Sequence, residues 1–404
     1  MKTSEQLIPQ LRFSEFDGFF KKVELKKVAT INPKNKELPD SFVYIDLESV
    51  NKGFLSKEER INKGDAPSRA QRLLQEEDIL YQTVRPYQKN NYYFDKPEID
   101  YVASTGYAQI RAKDISSYLY QYLHTNYFVN KVLVRCTGTS YPAINSTDLS
   151  KINISIPSIP EQQKIAAFLT DVDAKITKLT KKKTLLEQYK KGVMQKIFNQ
   201  ELRFKPDVIA RRHDEAISQN KASFPDWEEK KLGDIATINM GQSPESSTYN
   251  SDGIGYYLIQ GNADISNRKT SPRNWTSNPT KLCDIGDLIL TVRAPVGAIA
   301  KSNHKACIGR GVCSIKNNTI SNIEFIYQFL LDFEKRWVRL EQGSTFTAVS
   351  GKDIKSIEIK LPSIKEQTKI ANFLSDIDVK IEALNTKIEN SKTFKKGLLQ
   401  QLFV

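Results

Sequence analysis

Few residues in this chain are grouped in a way that supports catalysis. Asp353, followed by Glu358 and Lys360, has the carboxylate-and-lysine composition of a metal-dependent nuclease. The sequence holds a second copy of the same stretch, Asn153-Ile154-Ser155, which keeps the strand pattern and drops the charge. A strand accounts for both copies and a metal site for one. Gly351-Lys352 lacks the upstream glycine and the following hydroxyl of a phosphate-cradling loop. No Asn/Asp-Pro-Pro-aromatic motif of an amino-group DNA methyltransferase occurs, and no Gly-rich cofactor loop. His124, His213 and His304 share no ligand spacing. Cys136, Cys283, Cys307 and Cys313 show no paired metal-ligand spacing and read as reduced thiols. Binding fits these residues better than catalysis, with a metal-dependent nuclease kept as the weaker alternative.

The charge balance points to what is bound. Sixty Lys and Arg against 47 Asp and Glu give a net charge of +13, which suits a polyanion such as nucleic acid. Arg85 and Arg293 sit in equivalent Thr-Val-Arg segments, where an arginine can hold phosphate or guanine, or make a structural salt bridge. Because both copies have them, phosphate or scaffold roles suit them better than sequence reading. Side chains suited to base edges lie in stretches that differ between the copies. The first copy offers Lys63, Arg69, Arg72, Lys89, Asn90, Asn91 and Tyr92. The second offers Gln242, Ser243, Asn262, Arg268, Lys269, Arg273 and Asn274. Thr139, Ser140 and Tyr141, with Ser344, Thr345 and Phe346, form Gly-led loops that either touch phosphate or simply turn the chain.

Two long helices must position these groups. Residues 156–198 contain no glycine before Gly192, and apolar residues recur at alternating steps of four and three. The interface residues expected on this helix are Ile165, Phe168, Leu169, Val172, Ile176 and Leu179. Lys183 and Lys190 interrupt the seam with charge, and the Lys-rich run 178–191 reads as a solvated face or a subunit contact. Residues 361–403 repeat the stretch without a gap, 205 positions on, with Ile370, Phe373, Leu374, Ile377, Ile381 and Leu384 as the matching interface. Two helices with matching seams in one chain most simply pack on each other.

The repeat extends upstream. Gly138-Thr139-Ser140-Tyr141 matches Gly343-Ser344-Thr345-Phe346, and Ala29-Thr30-Ile31-Asn32 matches Ala236-Thr237-Ile238-Asn239. Leu11-Arg12-Phe13 recurs as Leu202-Arg203-Phe204 just after the first helix, so the N-terminus is expected beside the end of the second. The expected organisation is a globular half over 1–155, a helical spacer over 156–204, a linker over 205–226, a second half over 227–360 and a second spacer over 361–404. Each half reads as α+β. Ile79-Leu80, Val132-Leu133-Val134, Ile152-Asn153-Ile154, Leu288-Ile289-Leu290 and Ile357-Glu358-Ile359 are expected as strands, and 115–124 and 322–333 as helices. No stretch approaches the ~20 apolar residues of a membrane span, and no signal peptide is evident, so a cytoplasmic location is expected.

The motif P-S-I-x-E-Q-x-K-I-A-x-F-L-x-D-x-D-x-K-I, at 157–176 and again at 362–381, resembles the specificity subunit of Type I restriction–modification systems. So do the paired Gly-led loops and the L-R-F openings. The resemblance covers essentially the whole chain. It implies two tandem-duplicated target recognition domains with pseudo-twofold symmetry, each reading one half of a split double-stranded DNA target. It implies an antiparallel coiled coil that sets the spacer and docks two modification (methyltransferase) subunits, which restriction (endonuclease/translocase) subunits join. S-adenosylmethionine, ATP and Mg are then expected only on the partners, and the chain itself is not catalytic. Roughly forty helical residues span ~60 Å. With the halves packed over the helix ends, half-site centres are expected about 10 base pairs apart. The alternatives are a DNA-independent helical scaffold or adaptor, and a metal-dependent nuclease.

Overall fold

The absence of early breakers lets both long segments form unbroken helices, Ile159–Phe198 and Ile364–Gln401. Pro160 falls in the first turn of the first helix, where its missing N–H has no partner to lose. That helix stops at Gln200, which takes a left-handed conformation with φ 61°. The structure is a computed structural model that describes residues 7–34, 37–51, 53–97, 100–206, 223–343 and 348–404. Most of the expected linker therefore lies outside the described residues.

The chain forms two units, Met1–Lys181 with Asn385–Val404, and Lys182–Leu384. Each contains a globular half, the beginning of one long helix and the end of the other. In the first unit Ile165 and Leu169 share a core with Leu398, Leu402 and Phe403. In the second, Met194 and Ile197 share a core with Ile370 and Leu374. In both units one helix rises in number as its partner falls, so the pairing is antiparallel, as the family resemblance implies, and the matched seams pack on each other as expected. Ile377 and Leu384 are buried, whereas Phe168, Val172, Ile176, Leu179, Phe373 and Ile381 are half-buried.

The seam charges are paired. Lys395 Nζ donates to Asp173 at 2.7 Å, and Lys190 Nζ donates to Asp378 at 2.7 Å. The repeat relates one pair to the other. Gln121 Nε2 donates to Asp173 and Gln328 Nε2 to Asp378, both at 2.8 Å. A lysine from one helix, an aspartate from the other and a glutamine from the globular half thus meet once in each unit. A second repeated contact fixes each helix start. Arg12 holds the buried Glu161 through Nε and Nη2 at 2.8 and 2.7 Å. Arg203 holds the buried Glu366 likewise at 3.2 and 2.9 Å. The neighbouring phenylalanines pack edge to face in both copies, Phe13 on Phe168 and Phe204 on Phe373. Leu11 N–H donates to Gln401 O at 3.0 Å, which places the N-terminal segment at the end of the second helix.

Each globular half repeats three sheets. A two-stranded ladder leads into each helix, Lys21–Glu24 with Asn153–Ile156 and Glu228–Lys231 with Glu358–Leu361. An inner sheet follows, in which Tyr107–Ala112 of the first half and Val312–Asn317 of the second each pair antiparallel with strands on both sides; the second half's sheet is extended by Lys269–Thr270, which runs parallel to Ile299–Lys301. An outer mixed sheet holds one parallel pair in each half, Ser41–Ile45 with Tyr101–Ser104 and Tyr256–Ile259 with Ala306–Ile308. The strands expected at 79, 152, 288 and 357 are present within a residue or two. The strand expected at Val132-Leu133-Val134 is instead the end of a helix, Asn126–Leu133. Thr125 caps that helix by accepting from Phe128 N–H, and Phe128, Val129 and Val132 are buried at helical spacing. The first half breaks its helical layer there, into Ser116–Leu123 and Asn126–Leu133, where the second half has one helix, Ile323–Gly343.

Candidate nucleic-acid interface

In each half the short turn that carries the chain from the outer sheet to the inner one, from Tyr101–Ser104 to Tyr107–Ala112 and from Ala306–Ile308 to Val312–Asn317, brings distant loops together. In the first half the turn is Thr105-Gly106. Thr83 N–H donates to Gly106 O at 3.1 Å, and Thr105 N–H donates to Arg69 O at 2.9 Å. Two residues past Thr83, Arg85 adopts a left-handed backbone, φ 53°, and its N–H donates to Pro142 O at 2.7 Å. Its guanidinium lies 4.1 Å from the ring centre of Tyr141, which is 63% exposed. Thr139 and Ser140, also exposed, lead into Tyr141. Arg69, Arg85 and the 139–141 loop are thus the expected residues that converge in this half. They form a cation–aromatic surface able to take phosphate or a base face.

The second half builds the same place differently. Its turn is Gly309-Arg310-Gly311. Val292 N–H donates to Gly311 O at 2.9 Å, which sets the exposed Arg293 beside the turn. Gln242 N–H donates to Ile308 O at 2.9 Å, and Arg310 N–H donates to Ser243 Oγ at 3.1 Å. Backbones meet closely here. A Cβ on Gly311 would lie 2.1 Å from Gln260 O, and one on Gly241 would lie 2.2 Å from Gly309 O. Asn262 is exposed two residues after Gln260. Gln242, Ser243, Arg293 and Arg310 therefore stand together, and Arg310 was not among the residues expected from the sequence. Its signal is a lone arginine between two glycines, Gly309 and Gly311.

Other expected residues have different surroundings. Asn91 is 1% exposed, and its Oδ1 accepts from Gln82 N–H at 2.9 Å. Tyr92 is buried on a short strand. Lys89 Nζ donates to His124 O and Asn126 Oδ1, both at 2.7 Å, and burial lowers its pKa. Arg72 is half-buried on a strand with no bond to its Nε, and desolvation lowers its pKa. Lys63 is exposed and pairs with Glu37 at 3.1 Å. Arg268 forms a two-pronged ion pair with Glu334 and also reaches Ile299 O. Arg273 approaches Asp264 at 3.5 Å, and Asn274 and Lys269 are exposed on strands. Thr345 and Phe346 lie outside the described residues. The faint nuclease grouping has a structural use. Asp353 accepts from Ser350 N–H and Oγ in a capping box at the helix Gly351–Lys355, and those bonds lower its pKa. Among the described residues no cluster of His, Cys, Asp and Glu is arranged to hold a metal, and no helix is long and apolar enough to cross a membrane.

Known proteins share this plan. The chain is 35% identical over 264 residues to the putative type I restriction enzyme MjaX specificity subunit of Methanocaldococcus jannaschii, covering 64% of this chain and 60% of that relative. It is 24% identical over 402 residues to the MjaVIII specificity subunit of the same organism, covering 95% and 90%. A solved structure from work on complex assembly and conformational transition of the type I R-M system matches with TM-score 0.55 and 27% identity, over 94% of this chain and 96% of that one. The S subunit of a Type I system from M. genitalium shares the fold, with TM-score 0.64 at 14% identity. Residues 17–188 and 225–391 each match the Type I restriction modification DNA specificity domain. The matched segments make up most of the chain, and it belongs to that family as a protein with two copies of the domain.

Proposed function

We propose that this chain is the non-catalytic DNA-recognition subunit of a Type I restriction–modification complex, each half reading one half of a split target. The observation that carries this is the pairing of a repeated scaffold with unlike loop clusters. Arg85 and Arg293 recur at equivalent places, while the turn beside them is Thr105-Gly106 in one half and Gly309-Arg310-Gly311 in the other. Shared arginines suit phosphate, which is the same at every site, and unlike neighbours suit unlike bases. The helix pair sets the spacer, with half-site centres about 10 base pairs apart.

Two modification subunits are the proposed protein partners, one for each unit, with restriction subunits joining them. Leu11, Ile159 and Phe394 are 40, 47 and 55% exposed, and their repeat counterparts Leu202, Ile364 and Tyr189 are 43, 45 and 53% exposed. Large apolar groups left equally bare at equivalent positions suit two copies of one partner. S-adenosylmethionine, ATP and Mg belong to those partners in this reading, and the complex works in the cytoplasm. The test is methylation-sensitive long-read sequencing of host DNA with and without this gene, the modification subunit being present. Loss of a split motif is expected. An active system with no gene-dependent motif, or a motif of contiguous bases, would refute the proposal.

A further inference from the structure

We infer that Arg310 reads a guanine in the half-site bound by the second half, and that the first half has no counterpart at its equivalent turn. This rests on the proposed DNA-reading function and names the residue that carries it. Arg310 is exposed, and among the described residues its guanidinium has neither a carboxylate partner nor a hydrogen bond. Arg268 and Arg273, by contrast, face Glu334 and Asp264. The backbone that presents Arg310 is held on three sides. Ser243 Oγ accepts its N–H, Gly311 O accepts from Val292, and Gly309 N–H donates to Ile259 O at 2.8 Å. The contact of Gly311 with Gln260 O leaves no room for a side chain, so the turn cannot be rebuilt around a bulkier sequence. An unpaired guanidinium on a fixed turn has the geometry for two parallel hydrogen bonds to guanine O6 and N7. Arg293 beside it supplies the phosphate contact that sets the register. At the equivalent turn the first half has Thr105-Gly106, with no cation; the exposed Arg69, whose O accepts from Thr105 N–H, belongs to a separate turn ahead of the strand Ala70–Leu73.

The test sequences DNA methylated by the assembled complex carrying wild-type chain, Arg310→Ala, Arg310→Lys or Arg69→Ala. The second half-site is identified by exchanging residues 227–360 with those of another subunit. A G·C pair is expected there. In Arg310→Ala, discrimination at that pair should fall roughly 5- to 150-fold while every other position keeps its base. Arg310→Lys keeps the charge and loses the fork, so the same position should relax. Arg69→Ala should leave the second half-site intact. A uniform fall in methylation with the motif unchanged would make Arg310 a phosphate contact and overturn the assignment. A second half-site without G·C would do the same. A wild-type complex that methylates no split motif would instead remove the proposed function, and the assignment with it. Because the side chain is exposed, the variants should melt with the wild type, which separates loss of reading from loss of fold.

Discussion

Substituting the aspartate of a lysine–aspartate–glutamine cluster should cost more stability than substituting its lysine. In the second unit the Lys190 side chain is 10% exposed and Asp378 38% exposed. Exposed pairs contribute at most about 1 kcal/mol, and breaking a fully buried pair costs about 3–5 kcal/mol. Lys190→Met leaves Asp378 with water on one side and the Gln328 amide on the other, so a loss of about 2 kcal/mol is expected. Asp378→Leu removes the partner of two groups. It strands the lysine and leaves unpaired the amide of Gln328, which is 0% exposed and whose Oε1 already has no partner. A buried unsatisfied amide adds about 1–3 kcal/mol, so about 4 kcal/mol in all is expected. The triple variant Lys190→Met, Asp378→Leu, Gln328→Leu replaces the cluster with apolar packing and should return to within about 1 kcal/mol of wild type. For a unit of about 200 residues, each kcal/mol moves the midpoint by about 2–4 °C. The assay is calorimetric melting, following the transition of that unit. Asp173→Leu should show the same order in the first unit, with a smaller loss because Lys395 is 19% exposed. An Asp378→Leu midpoint no lower than that of Lys190→Met would refute the reasoning, as would a triple variant as unstable as Asp378→Leu.

Three further outcomes follow from single contacts. Arg12→Ala strands Glu161, 1% exposed, and should cost about 3–5 kcal/mol, whereas Arg203→Ala should cost less because Trp227 Nε1 still donates to Glu366 at 3.1 Å; melting and hydrogen exchange over residues 7–20 would show the first. His124 is held at a pKa of about 4 by burial, with Nδ1–H donating to Tyr120 O and Nε2 facing the Asn91 amide. Its contribution is complete above the unfolded value of 6.5 and is lost as pH falls from there toward 4, so the first unit should lose up to about 3 kcal/mol over that window and His124→Gln should flatten the profile. Gly311→Ala forces a Cβ against Gln260 O and should destabilise the second unit by about 1–3 kcal/mol while impairing only the second half-site, as read by melting and by the methylated motif.

The helices were the most legible part of the sequence because an ungapped repeat and a 3.5-residue seam are local signals. Lys190 read as a flaw in that seam because a seam is judged one helix at a time. Its partner Asp378 lies 188 residues away and becomes a neighbour only when the helices run antiparallel. Val132-Leu133-Val134 was misread because three β-branched or apolar residues resemble a strand until Thr125 and Phe128 upstream supply the cap and the helical spacing. The loop candidates were chosen by residue type and by divergence between the copies, and neither property says what a loop folds against. Topology decided that Arg268 meets Glu334 and Asn91 is buried, while Arg310 stands free.

The contacts that recur between the halves and those that differ have separate consequences. Arg12 with Glu161, Phe13 with Phe168 and Gln121 with Asp173 all tie a globular half to a long helix, and each has a counterpart in the second unit. The residues that differ, Thr105-Gly106 against Gly309-Arg310-Gly311, sit at the turns and none belongs to the buried apolar core. A change of target therefore needs no change in what holds a half to its helices. Substitution of the exposed side chain that the turn displays, Arg310, should alter the bases read without moving the melting midpoint, and substitutions at Glu161 or Asp378 should lower the midpoint without changing which bases are preferred. Measuring both quantities on Arg310→Ala and Asp378→Leu sets this division directly against experiment. An Arg310→Ala variant that melts early, or an Asp378→Leu variant that prefers new bases, would show that stability and reading share residues after all.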